Sequence, residues 1–123
     1  MKLNQKHYKI FKDECKKWID VFGLKEYSVA FEFTKLKGAY ATSNPSYDSK
    51  IVTIKLGTNI DDLLDHGKDL DGMVKEWALH EVLHVVLNPI YCLSIARHAT
   101  RAEIDQAEEG IVVRLTNVLA KNK

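Results

Sequence analysis

Apolar positions recur at helical spacing over residues 3–22. Leu3, Ile10, Phe11, Cys15, Trp18, Ile19 and Phe22 fall on one side, and this pattern predicts an amphipathic helix that Gly23 is placed to end. Lys2, Lys6, Lys9, Lys12, Lys16 and Lys17 gather on the other side. The period then changes to two. Tyr27, Val29, Phe31 and Phe33 alternate with smaller or polar residues and predict a strand. Lys37-Gly38 reads as a turn, Ala39-Tyr40-Ala41-Thr42 as a short second strand, and Asn44-Pro45-Ser46 as turn material. The β-branched run from Lys50 to Leu56 predicts a third strand, closed by Gly57-Thr58-Asn59. Such short connections favour an antiparallel meander.

Residues 60–72 are acidic and irregular, with a helical turn expected near 61–65. Asp71 or Gly72 is placed to cap a mostly apolar helix that runs to about Leu87, where Asn88-Pro89 should stop it, because proline donates no backbone bond and disfavours a helical residue before it. Residues 90–99 read as a short helix or loop. A final helix is expected over about 100–120, with Thr100 as N-cap and Glu103 at the offset of a capping box. Its apolar face carries Ile104, Ala107, Ile111, Leu115, Val118 and Leu119. Together these elements predict one α+β domain over residues 1–123. Its parts are an N-terminal helix, a small three-stranded and mainly antiparallel sheet, a central apolar helix and a C-terminal helix.

The 123-residue length allows one modest core. The net charge of +1 sets up no global field for nucleic acid or acidic substrates, and Asp13 and Asp20 break the lysine stripe, which reads as a solvated face. Cys15 and Cys92 match no metal or disulfide spacing and read as buried thiols, in keeping with a reducing, cytoplasmic setting. No apolar leader segment is evident at the N-terminus and no unbroken run of 18 apolar residues occurs, so a membrane role is not expected. The acidic stretch lacks the spacing and the closing glutamate of a calcium-binding EF-hand.

The chemistry concentrates in the central helix, at His80-Glu81-Val82-Leu83-His84. Two imidazoles four residues apart share a helix face and can reach one ion, as a tetrahedral zinc site requires. Glu81 projects nearby, where a carboxylate can take a proton from water. The surrounding Met73, Trp77, Ala78, Val82, Val85 and Val86 are apolar, so these polar groups are costly unless something satisfies them. Trp77 reads as core packing. Catalytic zinc sites usually hold three protein ligands. On the final helix Glu108 falls between Ile104, Ile111 and Leu115 and is expected to point inward as the third, with Glu109 and His98 as alternatives.

With Glu108 downstream of His80-Glu81-x-x-His84, the chain resembles a small gluzincin-type zinc metallopeptidase. It is also similar to the short zincins of phage and prophage regions, which share its order of elements. The metzincin pattern is absent, because Leu87 and Ile90 stand where its glycine and third histidine belong. The resemblance implies a zincin-like fold and Zn2+ held by His80, His84 and Glu108. It also implies Glu81 as general base in peptide hydrolysis, a peptide or protein substrate, and an oxyanion donor among Tyr40, Tyr47, Tyr91 and His98. The competing expectation is a zinc-holding scaffold without turnover that acts through a protein partner.

Overall fold

The computed structural model describes residues 2–46, 48–60, 69–96 and 98–121. Among the described residues three helices stand with a small mixed sheet in an α+β fold. The elements run α1 (Gln5–Val21), β1 (Ser28–Thr34), β2 (Ala41–Ser46), β3 (Ile51–Gly57), α2 (Leu70–Ile95) and α3 (Arg101–Lys121). The helical turn expected near 61–65 lies outside the described residues.

Local signals bound α1 closely. Asn4 accepts from His7 N at 3.1 Å, while Asn4 N donates to His7 Nδ1 at 3.1 Å, a reciprocal cap. At the other end Gly23 adopts φ +66°, Leu24 N donates to Ile19 O, and Gly23 N donates to Asp20 O. This pairing satisfies carbonyls that the last helical turn would leave bare. Phe11 and Cys15 are fully buried, and Tyr8 stacks on Phe33 of β1 with ring centroids 5.0 Å apart.

The sheet corrects the expected meander. Its order is β1-β3-β2, with β3 parallel to β1 and antiparallel to β2. The most apolar strand takes the centre, where Val52, Ile54 and Leu56 are fully buried. The register aligns Val29, Phe31 and Phe33 with Ala41, Ser43 and Pro45 across those three, so all nine share one face. Glu32 and Lys55 pair across the other face at 3.3 Å. Asn44-Pro45-Ser46, expected as a turn, belongs to β2. Pro45 is tolerated there because β2 is an outer strand, whose free edge needs no backbone donor.

The central helix also runs further than expected. Asp69 caps α2 by accepting from Asp71 N at 3.2 Å, and the helix continues through Pro89 to Ile95. The φ of proline suits a helix, so its cost is a missing donor for the Val85 carbonyl. Beyond it, Pro89 and Leu93 line a groove against α3, and this packing offsets the loss. Helix α2 packs on α1, β2 and α3. Among the described residues it is the one helix long and apolar enough to cross a membrane, with hydropathy 1.3 over its window. Here it is the central core helix, with Val74, Ala78, Val82, Val85 and Val86 buried. Thr100 and Glu103 form the expected capping box at the start of α3. Glu103 N donates to Thr100 Oγ1 at 3.1 Å, and Thr100 N donates to Glu103 Oε1 at 3.1 Å.

Candidate functional site

His80, Glu81 and His84 come together in the second layer of the fold, where α2 crosses the β2 side of the sheet. They line an open cleft of about 840 Å³ whose opposite wall is the strand segment Ala41 to Pro45. The four-residue spacing brings the two imidazoles to one exposed face, with Nε2 of His80 and Nε2 of His84 3.2 Å apart and the rings nearly perpendicular. Two nitrogens bound to one tetrahedral zinc at about 2.0–2.1 Å stand about 3.3–3.4 Å apart. The observed separation therefore fits a shared ion. It also fits a hydrogen bond between two neutral rings, one donating and one accepting.

Glu81 lies inside this pair and is 6% exposed. Among the described residues its carboxylate has no hydrogen-bond partner, and it borders both the main cleft and a smaller recess shared with Tyr40, Trp77 and His80. The carboxylate therefore opens on the cleft, where a nearby cation would favour its charge. Its charge reaches Cys15 on α1. Burial first, then Glu81 and Glu14, push the Cys15 thiol up from 9.0 to about 12. Cys15 therefore stays protonated and inert, and its Sγ lies 3.8 Å from the Ala78 carbonyl.

The acid expected from the last helix does not join the site. Glu108 is exposed and is not in the cleft lining. Helix α3 seats against Val86, Pro89 and Leu93, which lie roughly 180–240° around α2 from His80. The buried stripe of α3 centres on Ala107, Ile111 and Val118, rotated from the expected centre, and leaves Ile104 and Leu119 exposed with Glu108 at their margin. Two contacts account for the rotation. Ile111 and Val118 are buried in the core, and Arg114 reaches Glu26 at 3.2 Å. The alternatives Glu109 and His98 are exposed and also stand outside the cleft lining. Among the described residues no group of three His, Cys, Asp or Glu side chains converges to hold a metal.

Of the suggested oxyanion donors, Tyr40 borders the recess beside Glu81, and Tyr91, 63% exposed, lines the main cleft. Tyr47 lies outside the described residues. Trp77 packs on Tyr40 at 5.1 Å and is partly buried against the core, as its apolar setting implied. Two cleft residues escaped the reading of the sequence. Ser43 falls between a strand pattern and turn material, and Asn88 stands in a helix-stop pair with Pro89. The signal for Asn88 was its place four residues after His84, on the same side of the helix. Comparison of the chain with protein-family models, curated proteins and solved structures returns no match.

Proposed function

We propose that the chain is a zinc-dependent peptidase of minimal zincin type, with His80 and His84 holding the ion and Glu81 serving as the base. The observation that carries this reading is the pair of Nε2 atoms 3.2 Å apart beside the Glu81 carboxylate, which borders the same open cleft. Imidazole nitrogens suit zinc, and two described protein ligands leave its remaining positions open. The bound ion would supply Lewis acidity, acidifying a water and polarising a carbonyl.

The remaining chemistry belongs to this chain. Glu81 accepts a proton from water as its oxygen bonds to the carbonyl carbon of a peptide. It then delivers that proton to the leaving nitrogen as the carbon–nitrogen bond breaks. Residues Ala41 to Pro45 of the outer strand face the cleft, and the free edge of β2 can pair with an extended peptide backbone. Apolar side chains of Leu87, Ile90 and Tyr91 flank the same opening.

Metal analysis and a peptide-library assay test the proposal on the wild type, Glu81→Gln and His84→Ala. The expected result is zinc without cleavage for Glu81→Gln and loss of both for His84→Ala. Cleavage that survives Glu81→Gln would remove Glu81 from its role. A metal-holding scaffold that works through a protein partner is the second reading. It is favoured by the exposed apolar side chains of Tyr91, Ile95 and Leu119 and by Glu108 standing away from the histidines.

A further inference from the structure

We infer that Leu87 and Tyr91 set the sequence preference of the cleft. They select an extended peptide with apolar side chains two and four residues from the bond presented to the histidines. This inference rests on the peptidase reading and names the substrate class of the same site. Leu87 is 49% exposed and Tyr91 63%, and both line the cleft. They follow His80 and His84 along one side of α2, and exposed Ile95 continues the row by a further turn. Apolar side chains exposed singly are ordinary, but a contiguous row beside a cleft marks a surface that binds. Among the described residues Glu81 is the one Asp, Glu, Lys or Arg in the lining, so past His84 the wall carries no such charge. A charged substrate side chain laid there gives up water and finds no counter-charge, whereas an apolar one gains by leaving water.

Spacing fixes which substrate positions are read. Consecutive residues Ala41 to Pro45 alternate between the faces of β2, yet all border the cleft, so the strand meets it with its edge. The start of β2 shares the recess with Trp77 and His80, so both walls begin at the same end. A peptide paired to that edge lies along α2, rising about 3.3 Å per residue with alternate side chains on one face. Leu87 and Tyr91 stand about 7.5 and 13.5 Å along the helix axis from the midpoint of the histidine pair. Those distances correspond to about two and four strand residues. Helix and strand keep step, because four helical residues rise about 6.0 Å and two strand residues about 6.6 Å. Each turn of α2 thus meets one side chain on the facing side of the peptide, and the side chains between point away.

The test uses the zinc-supplemented full chain and the peptide Leu-Ala-Leu-Ala-Ala-Leu-Ala-Leu, with an N-terminal fluorescein and a C-terminal amide. Its leucines lie two and four residues to each side of the central bond, so either chain direction is served. A second peptide carries lysine in place of every leucine. Fluorescence anisotropy in Glu81→Gln, where turnover is blocked, should show the leucine peptide binding about tenfold tighter. Tyr91→Glu, at an exposed position, should weaken the leucine peptide about tenfold and tighten the lysine peptide. Leu119→Glu, exposed on α3 outside the lining, should change neither. Equal affinity for the two peptides, binding of neither, or an equal loss in Leu119→Glu overturns the inference. So does a dimer of the free chain that Tyr91→Glu dissolves and the leucine peptide does not, because a second copy then covers the row. The wild type with zinc should cut the leucine peptide at its central Ala-Ala bond. Selective binding by a wild-type chain that never cleaves keeps the preference and sinks the peptidase reading. Cleavage of both peptides with equal kcat/KM does the reverse.

Discussion

Removal of one imidazole separates the two meanings of the 3.2 Å contact between His80 and His84. If the pair holds zinc, an ion that binds only the folded chain stabilises it by about 2.7 kcal/mol at a free concentration one hundred times its Kd. Unfolding entropy near 2.1 cal/mol/K per residue converts this into a rise in Tm of roughly 10 °C for a chain of this length. His84 is exposed, and its one described polar contact is His80. His84→Ala should therefore cost the metal-free fold no more than about 1 kcal/mol, or roughly 4 °C. The zinc-linked rise should vanish in that variant. Thermal unfolding with chelator and with added zinc, on the wild type and His84→Ala, measures both quantities. If the rings merely share a proton, zinc moves neither Tm. Equal zinc-induced shifts in the two proteins, or none in the wild type, would refute the reasoning.

Two other expectations follow from burial and exposure. Folding raises the Cys15 pKa from 9.0 to about 12, so above pH 9 the unfolded chain gives up a proton that the native chain keeps. The stabilisation from the neutral thiol is whole below pH 9 and falls by up to about 1.4 kcal/mol per pH unit between about pH 9 and 12. Urea unfolding across that window should show a steeper decline for the wild type than for Cys15→Ala, and parallel declines would contradict it. Because Glu108 is exposed and away from the cleft, Glu108→Ala should leave zinc content unchanged and alter stability by less than about 0.5 kcal/mol. Loss of metal in that variant would return the acid to the site.

Much of the fold was legible where a signal acts within a few residues. Gly23 ends α1 and Thr100 with Glu103 begins α3 because each satisfies backbone groups of its own turn. The two prolines depart from their local pattern for a related reason. Locally, Pro45 and Pro89 break structure by withholding a donor. In the fold, Pro45 lies on the outer strand β2, and Pro89 lies where packing against α3 carries the helix onward. The apolar strength of Ile51 to Leu56 was visible, yet its insertion between the other two strands was not. Alternation tells which side of a strand is buried, and says nothing of which neighbour it pairs with.

Helical geometry by itself determined that His80, Glu81 and His84 would be neighbours, since their relation is contained within one turn of one helix. The contribution of α3 was open to tertiary structure, because a modest rotation about its axis carries a side chain from the core into water. Burial of Ile111 and Val118 and the contact of Arg114 with Glu26 settled that rotation and left Glu108 outside. The same packing decided what faces the histidines instead: the Ala41 to Pro45 segment of β2, reached only once separate elements had docked.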